Sequence, residues 1–198
     1  MKLLDALMGR TKPAQPSLDA LFSLPTAAIT LQTTAGLMPT GRAGVCFKPL
    51  AGQSFEEMQS ELESLLRIGD DASAPPLAVR HVADDYGYRW IIVEGSGADD
   101  LVTRVHMVHS SLVEAGWGAQ LLCSVFGFAP APGASETIKE PCYLVYLAKR
   151  GTFYPFAPVG REKRDTELEL RIRSLIAGDL PMEEDLDRWF PLWGLPIA

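Results

Sequence analysis

A chain of 198 residues, 47% hydrophobic and 22% charged, with no long uninterrupted apolar run, is large enough to bury a continuous core without disulfide or metal staples. It lacks the ~18 apolar residues in a row that would cross a bilayer. A formal net charge of −7 argues against nucleic acid as a partner, because a phosphate backbone is bound through clustered Lys and Arg.

From the N-terminus, MKLLDALMGR places Leu3, Leu4, Leu7 and Met8 on one side of a short amphipathic helix. Asp5 interrupts the apolar run, and no A-x-A-like cleavage site follows, so the segment is not read as a signal peptide. It suits a membrane surface, a partner's groove or its own domain. The proline-bearing stretch TKPAQPS follows as a linker, dividing an N-terminal segment (1–16) from a single α+β domain (17–198). In that domain Thr26–Gln32 and Gly44–Leu50 read as strands joined by the loop GLMPTGRAG. Ser54 and Glu57 form a capping box for a helix that ends at Gly69. A second strand pair, Leu77–Val82 and Tyr88–Glu94, turns at DDYG, and Leu101, Val102, Val105, Val108, His109, Leu112 and Val113 then mark a helix stopping at Gly116. Gln120–Phe128 and Cys142–Lys149 are apolar on both faces, as central strands are. A last helix spans Asp165–Ala177, with Leu168, Ile172, Leu175 and Ile176 inward and Glu167/Arg171 and Glu169/Arg173 placed for outward ion pairs. The expected architecture is α+β: an antiparallel sheet of about six strands in a repeated ββα order, with three main helices packed on it.

No residue pattern spells out a reaction. Cys46, Cys123 and Cys142 are odd in number, lack C-x-x-C spacing and lie in apolar segments, where a thiol acts as a small hydrophobe in a reducing cytoplasm. His106 and His109 lie one helical turn apart, but with His81 they do not make the convergent ligand set a metal requires, so no metal and no cofactor are expected. EGSGADD runs from strand to helix but matches no phosphate-binding motif, and its two aspartates occupy the helix end where a phosphate would sit. The acidic run Glu183, Glu184, Asp185, Asp187 reads as a solvated helix start.

The aromatic-proline stretches KRGTFYPFAP and RWFPLWGLP stand out. Gly151 ends the preceding strand and Pro155 and Pro158 argue against a further ladder, so Phe153, Tyr154 and Phe156 either pack or form a patch. With Trp189, Phe190 and Trp193 they make either an internal clasp or a partner-binding surface. The expectation is a mixture, with Phe153 and Trp189 buried and Tyr154 and Trp193 partly exposed.

Together, KRGTFYPFAP with RDTELELRIRSLI, the ending DRWFPLWG, LLDALMGRTKP with SLDALFSLP, and GWGAQLLCSVFGF resemble the PspA-associated protein family PspAB. The resemblance implies a cytoplasmic protein linked, mainly by gene association, to the phage-shock membrane-stress protein PspA and often to an HtpX-like membrane metalloprotease; the absence of any reaction motif adds the expectation that it is not an enzyme. The resemblance carries no catalytic residue over. The function expected is an adaptor in the envelope-stress response, acting through protein contacts and reaching the inner membrane surface peripherally. The alternative is a chaperone-like or small-ligand-binding module with an aromatic-lined groove.

Overall fold

The structure is a computed structural model that describes residues 18–48, 79–133 and 140–197, with Ser60 and Ile138. The segment with Leu3, Leu4, Leu7 and Met8, the linker and, Ser60 apart, the helix expected from Ser54 to Gly69 lie outside the described residues. In chain order the elements are α1 (Leu24–Ala35), β1 (Leu37–Phe47), β2 (Val79–Ala83), β3 (Arg89–Glu94), α2 (Ala98–Glu114), β4 (Leu121–Pro130), β5 (Cys142–Leu147), β6 (Thr152–Phe156) and α3 (Thr166–Ile176). The six strands form one sheet in the order β2-β3-β1-β4-β5-β6, antiparallel throughout. The α+β class is therefore as read, but among the described residues a ββα repeat is not what the chain follows.

Two corrections account for the difference. Residues 26–32, expected as the first strand of a hairpin, lie in α1. Pro25 sits in its first turn and Gly36, at φ 66°, closes it in the left-handed conformation glycine tolerates. Leu24, Ala27, Ala28 and Leu31 share the buried side, a 3.6-residue period that overrides propensity. The hydroxyls of Thr33 and Thr34 donate back to the carbonyls of Ile29 and Thr30, so these threonines are satisfied within the helix. The expected loop GLMPTGRAG is then largely β1, which tolerates Pro39 because only β4 flanks it there; pairing with β3 begins at Arg42. Gly41, at φ 77°, takes up the register shift between Pro39 and Ala43.

The second correction is β6. Pro155 lies inside a strand paired with β5, opposite Leu144. The partner of Phe153 explains why it is tolerated. The Phe153 N–H donates to the Pro181 carbonyl at 2.8 Å and its C=O accepts from the Glu183 N–H at 2.7 Å. Residue 155 shares that outward parity, so the missing N–H falls on the side away from β5.

The sheet has two covered faces of different kind. On one, α1, α2 and α3 pack over Val45, Phe47, Ile91, Val93, Phe126, Leu144, Tyr146 and Phe153. On the other lie Cys46, Trp90, Ile92, Cys123, Val125, Tyr143, Val145, Tyr154 and Phe156, covered by the C-terminal stretch through Trp189, Leu195 and Ile197. That stretch is irregular apart from one 3-10 turn at Leu186–Arg188, and its prolines suit a strap lying across strands.

Candidate functional site

The strap is held at several points along its length. Glu183, expected to be solvated, is 1% exposed. Its carboxylate accepts from Arg150, from the Thr152 hydroxyl at 2.9 Å and from the Asp185 N–H at 3.2 Å. Burial alone pushes that carboxyl upward, but these donors outweigh it and hold it below the usual range. The Trp189 ring stacks on Tyr154 with centroids 6.0 Å apart, donates Nε1–H to the Glu183 carbonyl at 3.1 Å and lies under the Arg173 guanidinium. Tyr154 Oη–H donates to the Phe190 carbonyl at 2.9 Å. Trp193 meets Phe156 edge-on at 5.3 Å, and Ile197 seats on Gly44, where an added Cβ would lie 3.0 Å from its Cγ2.

Arg164 is the hub. Its Nε donates to both oxygens of Glu169 at 2.9 Å, its Nη1 donates to the Trp189 carbonyl at 2.7 Å, and its guanidinium lies over Phe156. Glu169, expected in an outward pair with Arg173, is instead 1% exposed and also accepts from the Ala157 N–H.

Between strap and sheet lies a groove of about 530 Å³. Cys46, Trp90, Leu122, Cys123, Leu147 and Tyr154 form its floor, Phe190 to Gly194 one wall, and the β2–β3 turn with Asp84, Tyr86 and Tyr88 the other. Asp84 shapes that turn: its carboxylate accepts from the N–H groups of Tyr86 and Tyr88 and from Trp90 Nε1 at 2.9 Å. The lips carry two exposed aromatics, Tyr86 at 66% and Phe190 at 60%.

Of the aromatics singled out in the sequence, Tyr154, Phe190 and Trp193 line the groove, and Phe156 and Trp189 belong to the cluster beside it under the strap. Phe153 does not; it is buried on the helix face against Tyr146. Tyr154, expected to be partly exposed, is buried at 1%, whereas Trp193 is half-buried. Burial in this apolar setting pushes the Tyr154 phenol well above its ordinary range. Sequence reasoning missed Cys46, Asp84, Tyr86, Trp90 and Cys123. The DDYG turn and the two-sided apolarity of β4 were visible, but not that non-local pairing would set them around one groove.

His109 Nε2 and Ser124 Oγ lie 2.7 Å apart, yet both residues are 0% exposed where α2 packs on β4, out of reach of any substrate. Burial depresses the imidazole to about 3, with a smaller contribution from His106. His106 turns toward Phe22, with ring centroids 5.1 Å apart. Among the described residues no group of three or more His, Cys, Asp or Glu side chains is placed to hold a metal ion. The neutral His109 has a thermodynamic consequence. Below about pH 6.5 the unfolded chain takes up a proton that the folded chain refuses, so stability falls as pH drops from there toward 3. Urea titrations across that range should show His109→Leu/Ser124→Ala flattening the acid limb by a few kcal/mol; an unchanged slope would contradict this origin.

A one-sheet α+β protein, helices on one face and a strapped aromatic groove on the other, is the class that fold and site define. The chain belongs to the PspAB family, described as PspA associated protein B, whose model matches residues 1–197. No curated protein and no solved structure matches it. Among the described residues no helix is long and apolar enough to cross a membrane.

Proposed function

We propose that this chain is a non-enzymatic adaptor of the phage-shock envelope-stress response that receives an apolar segment of PspA in the groove between strap and sheet. The observation that carries the reading is the pair of lips. Tyr86 and Phe190 expose large aromatic surface on opposite sides of an apolar cleft, an arrangement that a partner's side chain satisfies by entering between them. The partner is taken from the family's association with PspA. Neither lip residue is buried in the core, so recognition and stability separate at these positions.

Calorimetric titration of the full chain with purified PspA tests the reading. Phe190→Asp and Tyr86→Asp should each weaken binding about tenfold or more, equivalent to ~1.4 kcal/mol, while thermal unfolding barely changes. Unaltered affinity in both variants removes the groove from the interaction. A small apolar ligand is the second reading, favoured by the groove's volume, which falls within the ~300–1,000 Å³ of small-molecule sites. Native mass spectrometry of the purified protein separates the two: a copurified small molecule displaced by neither PspA nor its peptides supports the ligand reading.

A further inference from the structure

Two groups on the groove floor have no part in that reading. Cys46 of β1 and Cys123 of β4 stand directly opposite each other in the antiparallel register, so their side chains leave the same face, and both belong to the cluster under the strap. Both are free thiols. Directly opposed residues hold their Cα atoms about 4.5–5.5 Å apart, within the roughly 4.4–6.8 Å that a disulfide spans. The pair is the last in regular register before the shift between Cys46 and Phe47, and at that spacing side-chain rotation brings the two sulfurs together. Cys142 lies on the opposite face beneath the helices, which leaves one possible intrachain pairing on the groove side. Thiols sealed in a core are inert. These two, 3% and 6% exposed, instead border a cavity wide enough to admit a small solute.

We propose that Cys46 and Cys123 are a modification site, a cross-strand dithiol that small two-electron oxidants of the peroxide class convert to a disulfide within the groove. Cys123, the more exposed, reacts first: its sulfur forms an S–O bond as the peroxide O–O bond breaks, giving a sulfenic acid and one water. The Cys46 sulfur then attacks the Cys123 sulfur, the S–O bond breaks, and a second water leaves. Two thiol protons and two electrons pass from the protein to the peroxide, and nothing else is consumed. In the reduced protein the hydrogen bond with Cys123, burial and the charge of Asp84 push the Cys46 thiol above its ordinary range, and conversion of Cys123 to the sulfenic acid removes the first of these. The chemistry does not depend on what the groove holds. Its product removes two polarisable S–H groups from the floor and ties β1 to β4 beside the strap.

The test treats the full, folded chain with hydrogen peroxide under non-reducing conditions, blocks remaining thiols by alkylation and maps the digest. The expected result is a fall from three free thiols to one, a loss of about 2 Da in intact mass, a linked Cys46–Cys123 peptide, and full reversal by dithiothreitol. Cys123→Ser and Cys46→Ser should each abolish the linked peptide, and circular dichroism should show the fold retained during oxidation. Three remaining thiols after methionines have oxidised overturns the proposal. So does a bridge between chains, a sulfinic acid at Cys123 without linkage, or a disulfide that forms only after denaturation.

Discussion

Arg164→Ala is expected to cost about 3–5 kcal/mol of unfolding free energy in urea titration at neutral pH, the range for removing one partner of a buried ion pair. Glu169 has a side chain 1% exposed, and Arg164 is the cation paired with it. Without the guanidinium, the carboxylate keeps only the Ala157 N–H, while Phe156 and the Trp189 carbonyl lose their contacts to the same cation. Burial raises the Glu169 carboxyl above its ordinary value despite Arg164 and Ala157 acting the other way. For a group raised on folding, the stability it contributes is present below its unfolded pKa and is lost as pH rises through the folded value. The loss in Arg164→Ala should therefore be greatest near neutrality and shrink on acidification, as Glu169 takes up its proton. Adding Glu169→Gln to the variant should restore part of the loss, since the amide still accepts from Ala157 without a buried charge. A penalty under ~1 kcal/mol, or one that ignores pH, would show that the pair is not what holds the strap.

Trp189→Ala should be comparably damaging, by about 3–5 kcal/mol as for other large core truncations. The substitution removes the stack on Tyr154, the cation–π contact with Arg173 and the donor to the Glu183 carbonyl, all at a residue 5% exposed. Its neighbour Phe190, largely exposed, should tolerate alanine within ~0.5 kcal/mol. Thermal unfolding of the two variants side by side decides the matter: equal destabilisation would mean that the strap is not pinned at Trp189.

The elements legible in the sequence were those with strong local period or explicit end signals. The stripe from Leu101 to Leu112, the DDYG turn closed by Asp84, and Asp165, whose side chain accepts from the Leu168 N–H at the start of α3, all carry their instructions within a dozen residues. Thr26–Gln32 misled because β-branched residues mimic a strand when the flanking Pro25 and Gly36 are not weighed as helix ends. Pro155 misled because whether a proline fits a ladder depends on which side of the strand faces a neighbour, and that is settled by Pro181 and Glu183, far along the chain. The residues that line the groove were illegible for the same reason. The clasp between KRGTFYPFAP and RWFPLWGLP was anticipated as a possibility, yet the register that sets Cys46 against Cys123 exists only once β1 and β4 have paired.

The strap also bears on synthesis. Residues 186–197 follow every strand described here, so the segment that covers Trp90, Tyr143, Tyr154 and Phe156 is the last of these to leave the ribosome. Until that segment docks, the new chain displays a broad aromatic surface of the kind that invites self-association and chaperone capture. A chain that stops before Trp189 keeps those side chains uncovered and is expected to self-associate where the strapped chain does not.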